Sequence, residues 1–187
     1  MEGRPLEEND LIERSKSGDT TAFEQLVRIH QGMAIRMAYL VVRDHAEAED
    51  VTQDAFVKAY RSLGRFRSGS PFRPWLLKIV RNEALNRVRG SKRRHQLALR
   101  EGSDPVSGDA APSPETEVVS NSERARVLSA IDELPERYRA VLSHRFLLEL
   151  SVEETATTLG IPRGTVKSRT ARGLDRLRGI VGEEYPE

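Results

Sequence analysis

The stretch 150–178, LSVEETATTLGIPRGTVKSRTARGLDRLR, constrains the fold most, because it spells two short helices joined by a tight turn in helix-turn-helix register. Ser151 and Glu154 stand at the spacing of a capping box, in which a hydroxyl and a carboxylate satisfy the orphan backbone donors of a helix start. Gly160 ends that helix, Ile161 can plug the angle, and Pro162 carries the preset φ that starts the next helix. At about 100° per residue, Val166, Thr170, Leu174 and Leu177 share one stripe. Gly164, Ser168, Ala171 and Arg172 lie roughly opposite, with Lys167 and Arg169 on the flanks. A face that is small in the middle and basic at its sides suits a major groove. The helix can sit deep, cations reach phosphates or guanine edges, and backbone amides near Thr165 can hold a phosphate. The bland alternative is an amphipathic surface helix with a solvated charged face.

The 187 residues allow one or two domains, and strand alternation is nearly absent, so an all-α fold is expected. There is no cysteine, which removes disulfides and thiolate metal sites. With no signal-peptide pattern and no long apolar run, the expected compartment is the cytosol, without membrane insertion. The net charge of +1 hides a segregation: residues 61–100 hold twelve Arg or Lys against Glu83 alone, while residues 101–123 hold six acids and no base. A basic block followed by an acidic one suggests a nucleic-acid surface and then a solvated linker.

Upstream, residues 10–17 form a short helix stopped at Gly18, and residues 19–21 offer caps for a second helix running to about Val42. The second helix carries the stripe Phe23, Leu26, Val27, His30, Met33, Ala34, Met37, Leu40 and Val41. His30 reads as a packed residue, since no metal-ligand partner sits one turn on. Residues 44–63 make a third helix with Val51, Ala55, Ala59 and Leu63 inward and an acidic opening turn that suits a helix N-terminus. Asp50, Gln53 and Asp54 continue as a polar, acid-rich outer face, which fits a protein partner with a basic surface.

After Leu63 comes LGRFRSGSPFRPW, a loop of Gly, Ser, Pro, Arg and aromatics, followed by a helix over 74–89 with Leu76, Ile79, Val80 and Val88 inward. Cations beside flat π-faces suit single-stranded nucleic acid, whose bases stack and whose phosphates need neutralising. Trp75 and Phe72 can equally be core aromatics, whereas Phe66, in the loop, is the better candidate for touching a base. Asn82 can read a base edge or simply face solvent.

Residues 101–123 carry three prolines, two glycines and five serines and cannot bury enough apolar surface to order themselves. Leu128, Ile131 and Leu134 close a further helix, and Pro135 opens another with Tyr138, Val141, Leu142, Arg145 and Phe146. No Gly-rich phosphate loop and no Ser/His/Asp constellation is present, and the four histidines are scattered. No cofactor or metal is expected. A nuclease reading ranks low, since no carboxylate cluster lies beside the basic block.

DVTQDAFVKAY at 50–60, FRPWLLKIVRNEALNRVR at 72–89, LPERYRAVLSHR at 134–145 and LSVEETATTLGIPRGTVKSR at 150–169 together resemble bacterial extracytoplasmic-function (group IV) sigma factors. The resemblance implies a non-enzymatic protein of two small helical domains, over 1–98 and 122–187, joined by a linker over 99–121. Asp50, Gln53, Asp54 and Lys58 would face the β′ clamp helices of core RNA polymerase. Phe66, Arg67, Phe72, Arg73, Asn82, Arg87 and Arg89 would open the downstream promoter element and hold a flipped base. Arg163, Thr165, Lys167, Ser168, Arg169 and Arg172 would read the upstream element, with the C-terminal domain on the β flap. The linker would thread toward the active-site and RNA-exit channels, and an anti-sigma factor would control the protein. Thr155, Thr170, Ala171 and Gly173 stand where the family often has Ile, Leu, an aromatic or His, and Ala. The helix should lose roughly 1 kcal/mol at Gly173. The alternative is a stand-alone helix-turn-helix regulator with an N-terminal sensor or dimerisation module.

Overall fold

A computed structural model describes residues 4–100 and 121–183. Among them every regular element is helical, and the chain divides into two compact units, residues 1–112 and 113–187. The interval 101–120, which contains nearly all of the expected linker, lies outside the described residues.

The first unit is built from α1 (Arg4–Lys16), α2 (Thr20–Val42), α3 (His45–Ser62) and α4 (Phe72–Arg100), with a 3-10 turn at Leu63–Arg65. The caps are local. Asp19 Oδ1 accepts from the Ala22 N–H at 3.0 Å, and Asp44 Oδ1 accepts from the Glu47 N–H at 2.8 Å, so each helix begins where a carboxylate can take an orphan donor. The Ala22 N–H, and then Arg14, hold the Asp19 carboxyl below the ordinary aspartate range. The core is the meeting of three stripes: Leu26, Ala34 and Met37 of α2, Val51, Ala55 and Ala59 of α3, and Leu76, Leu77, Val80 and Ala84 of α4. Small residues at three of the α2 and α3 positions let the helices approach closely.

Two boundaries differ from the sequence reading. α1 starts at Arg4 rather than at residue 10, and α4 runs to Arg100 rather than stopping near Arg89. Gly90 is a helix-weakening residue, at about 1 kcal/mol relative to Ala, and the Lys, Arg, Gln, Leu and Ala that follow are good helix formers that carry the helix past it. His30 is packed, as expected: it is buried, its Nε2 lies 2.7 Å from Glu8 Oε1, and its ring stands 5.2 Å from that of Phe72.

The second unit contains α5 (Asn121–Glu133), α6 (Glu136–Leu142), α7 (Val152–Leu159) and α8 (Arg163–Glu183). Leu134, Tyr138 and Leu142 form its core cluster, and Leu174, Leu177 and Ile180 of α8 pack against it. A π turn, Ser143–Leu147, follows α6, with the Leu148 N–H donating to the Ser143 carbonyl at 3.0 Å. The helix expected from Pro135 through Phe146 is therefore α-helical only to Leu142. Extending the α-helical period through the π turn puts Phe146 inward, but the wider turn rotates the register, and Phe146 is 50% exposed. Leu128 lies on the exposed side of α5, whereas Ile131 and Leu134 are buried.

Candidate nucleic-acid and partner interfaces

The helix-turn-helix has the geometry that its residues require. Ser151 Oγ accepts from the Glu154 N–H at 3.1 Å, and Glu154 Oε2 accepts from the Ser151 N–H at 2.8 Å, a complete capping box. Gly160 takes φ 68, a left-handed conformation that costs glycine no Cβ clash, and the Ile161 N–H closes back on the Ala156 carbonyl at 3.1 Å. The Val166 N–H donates to the Pro162 carbonyl at 3.1 Å, so α8 starts directly after the proline. Val166 is buried and Thr170, Leu174 and Leu177 are half-buried, whereas Gly164, Lys167, Ser168, Ala171 and Arg172 are exposed. Both stripes are therefore where the periodicity put them.

Three of the expected DNA-reading side chains have neighbours of their own. Arg163 bonds to Glu153 of α7, and Ser168 Oγ donates to the Thr165 carbonyl at 3.2 Å. The Glu153 carboxyl is held below its usual range by a backbone hydrogen bond, by Arg163 and, more weakly, by Lys167. Arg169 and Thr165 are half-buried on the flank, and Arg172 stands clear. The sequence reading did not single out Arg176. Together with Arg137 it packs its guanidinium on the Tyr138 ring, at 5.3 and 4.9 Å from the centroid. Its position one turn beyond Arg172 was the available signal.

On α3 the side chains of Asp50, Gln53, Asp54 and Lys58 are all exposed. Two of them reach across to α4: Lys58 Nζ meets Glu83 Oε1 at 2.5 Å, and Arg87 donates to Asp54 Oδ2 at 3.4 Å. Arg87, expected on DNA, thus shares an ion pair with a residue expected on a protein partner. Between them lies Val57, an apolar residue at 50% exposure, seven positions after Asp50 and on the same face. The sequence reading passed over Val57, although its place off the inward stripe Val51, Ala55, Ala59 marked it as outward.

The basic loop and α4 require a correction. Phe66, expected to offer an exposed π-face, is only 5% exposed, and Phe72, also placed among the melting residues, is 1% exposed. The rings form a cluster with Trp75. Phe66 stands edge-on to Phe72 at 5.6 Å and lies 4.9 Å from Trp75, and Phe72 is 5.4 Å from Trp75. The 3-10 turn swings Phe66 inward, where burying the ring gains more than exposure would. The exposed part of the loop is Arg65, Arg67 and Ser68, with a turn closed by the Ser70 N–H on the Arg67 carbonyl at 3.1 Å. Gly69, third in that turn, has φ 77, the type II pattern that demands glycine. Asn82 and Arg89 face outward from α4, and Arg73 Nε lies 3.0 Å from Met33 Sδ. Asn82 is seven residues after Trp75, so the two share a helix face about 10 Å apart along the axis. Among the described residues no cluster of His, Asp or Glu could hold a metal, and no helix is long and apolar enough to cross a membrane.

Residues 26–94 match Sigma-70 region 2, and residues 124–177 match Sigma-70 region 4. The chain is 35% identical over 173 residues to the ECF RNA polymerase sigma factor SigW of Bacillus subtilis, spanning 89% of this chain and 92% of that one. It belongs to the extracytoplasmic-function (ECF) sigma factors. It is also 36% identical to the ECF RNA polymerase sigma-E factor of Escherichia coli, over 94% of this chain and 95% of that protein. The RNA polymerase sigma-H factor of Pseudomonas aeruginosa is 37% identical, with 91% and 92% covered. Among solved structures, CnrH in complex with the cytosolic domain of CnrY superposes with a TM-score of 0.70 at 25% identity, covering 96% of this chain and 99% of that one. The sigma factor RpoE in complex with the anti-sigma factor NepR from Bartonella quintana gives 0.67 at 25% identity, covering 86% and 96%. As an ECF sigma factor the protein directs core RNA polymerase to promoters, and its family is one of transcription initiation factors rather than of enzymes. The N-terminal half is a sigma region, so the reading of it as a sensor or dimerisation module of a stand-alone regulator is set aside.

Proposed function

We propose that the outer face of α3 docks on the β′ clamp helices of core RNA polymerase, with Asp50, Gln53 and Asp54 as anchors and Val57 and Lys58 beside them at the C-terminal end of the face. The observation that carries this is an exposed acidic face with an exposed apolar residue, Val57, beside it, which the unit ties to α4 only through the Asp54–Arg87 and Lys58–Glu83 ion pairs. Charged groups beside an exposed apolar residue let a protein interface combine steering with burial.

In the same proposal the melting surface consists of the turn 66–70 with Arg67, together with Asn82, Arg87 and Arg89 of α4 and Arg73 at its start. Phe66, Phe72 and Trp75 form the floor on which that surface is built. Asn82 supplies a donor and an acceptor for a base edge, and the arginines neutralise the strand. The second unit reads the upstream element with the N-terminal half of α8 and sits on the β flap. Arg163, Thr165, Arg169 and Arg172 meet phosphates, while Lys167 and Ser168 meet base edges.

The protein works in the cytoplasm, where the polymerase is, without a cofactor, and an anti-sigma factor holds it in reserve. The likeness to RpoE, which was solved with the anti-sigma factor NepR, supports this control. The test is copurification with core polymerase, followed by in vitro transcription from a promoter library. Specific initiation that requires both protein and core is the expected result. A chain that binds core but protects the same promoters equally well without it would overturn the assignment of roles.

A further inference from the structure

The match to Sigma-70 region 2 begins at residue 26 and leaves α1 outside it. Yet α1 reaches the melting site at two points, the loop itself and the aromatic floor beneath it. At its C-terminal end, Lys16 Nζ donates to Ser68 Oγ at 2.6 Å and to Glu13 Oε1 at 3.0 Å, and lies 5.7 Å from the centroid of the Phe66 ring. The Lys16 side chain is only 16% exposed, so it is folded into the loop rather than held in solvent. The Glu13 carboxyl, drawn below its usual range first by the Ser68 hydroxyl and then by Lys16, belongs to the same knot. Two turns earlier, Glu8 Oε1 meets His30 Nε2 at 2.7 Å, and the His30 ring packs on Phe72. The contacts close a circuit: Glu8, His30, Phe72, Phe66, Lys16 and back along α1.

We propose that α1 is a working part of the melting site, with Lys16 a positioning residue that sets which base the 66–70 turn accepts. This rests on the reading of that turn and Asn82 as the base-holding site. A pocket that discriminates bases must hold its groups to within about 0.5 Å. The turn's own backbone hydrogen bonds, Phe66 N–H to the Leu63 carbonyl and Ser70 N–H to the Arg67 carbonyl, do not involve Ser68, and Gly69 beside it is at positive φ. Lys16 supplies the missing constraint. It bonds the middle of the turn through Ser68 while its cation rests against the aromatic floor, so turn and floor cannot shift separately.

The test uses reconstituted holoenzyme. In vitro selection with wild type identifies the downstream element, and four templates are then made that differ only at its most discriminated base. Lys16→Met keeps the stem and removes the charge. It should flatten the base preference by about threefold to tenfold, the range for a residue acting through a neighbour. Closed-complex affinity and its salt dependence should stay as in wild type, and Lys16→Arg should restore the preference. Ser68→Ala should reproduce the Lys16→Met effect, and the double variant should be no worse than either, because both remove the same contact. Ser68→Ala touches only a surface hydroxyl and keeps the test decisive if Lys16→Met fails to fold. An unchanged preference in Lys16→Met and Ser68→Ala, with Asn82→Ala flattening it, overturns the role of α1 and leaves the loop reading standing. If Asn82→Ala also changes nothing, the loop reading itself is wrong. A loss in Lys16→Met that is equal for all four bases, with the salt slope reduced by about one, would make Lys16 a phosphate contact and overturn the proposal.

Discussion

A Cβ placed on Gly173 would lie 3.2 Å from both Cγ and Cδ1 of Leu142, so α8 crosses α6 at a separation that only glycine fits without adjustment. Leu142 is fully buried and has little room to give. Gly173→Ala would gain about 1 kcal/mol of helix propensity. Against that stands an overpacking cost of about 1–3 kcal/mol. The expected net result is a loss of stability of about 1 kcal/mol in urea unfolding, relieved in a Leu142→Val background. A more stable Gly173→Ala would show that Leu142 repacks freely.

Thr155 is a second departure from the family pattern with a structural reading. It is fully buried, and among the described residues its hydroxyl has no hydrogen-bond partner. A buried unsatisfied hydroxyl costs about 1–3 kcal/mol, so Thr155→Val should raise the unfolding free energy of the second unit by about 1 kcal/mol. A drop in the thermal midpoint would mean that a bond forms in solution.

Asp50→Arg combined with Asp54→Arg should leave the fold intact. Asp54 gives up only a mostly exposed pair with Arg87, and such pairs are worth about 0.2–1 kcal/mol. Affinity for core polymerase should fall about tenfold or more, because like charges facing each other across an interface cost several kcal/mol. The check is a titration of labelled core, and unchanged binding would remove α3 from the interface.

Phe66 and Asn82 should separate stability from melting. Phe66→Ala empties part of the aromatic floor and should cost about 3–5 kcal/mol in unfolding free energy. Asn82→Ala, on an exposed position, should leave stability near wild type but lower permanganate reactivity of unpaired thymines on duplex promoter DNA. A premelted template should recover part of that loss, because the unpairing cost of a few kcal/mol has already been met. A stable Phe66→Ala would contradict the packing described above.

Arg172→Ala should weaken promoter binding about equally for all sequences and reduce the magnitude of the salt slope by about one. Lys167→Ala should instead change the preferred upstream sequence in a library selection. A wild-type preference from the Lys167→Ala selection would reassign that side chain to the backbone.

The sequence by itself determined the helix caps, stops and inward stripes, which depend on short-range chemistry. The capping box at Ser151 and Glu154, the glycine stop at Gly160, the carboxylate caps at Asp19 and Asp44, and the inward stripes of α2, α3 and α8 each depend on residues within a turn or two. The motif order carried the family as well. Tertiary structure decided what depends on distant partners. Phe66 read as an exposed loop aromatic because nothing nearby covers it; its cover comes from Lys16, fifty residues earlier, and from Phe72 and Trp75 once α4 folds back. Phe146 faces solvent because a π turn, which no local residue announces, changes the register after Leu142. Gly173 read as a weakness until α6 was placed against it. Burial is a sum over neighbours brought together from far along the chain, whereas a cap is settled between residues three apart.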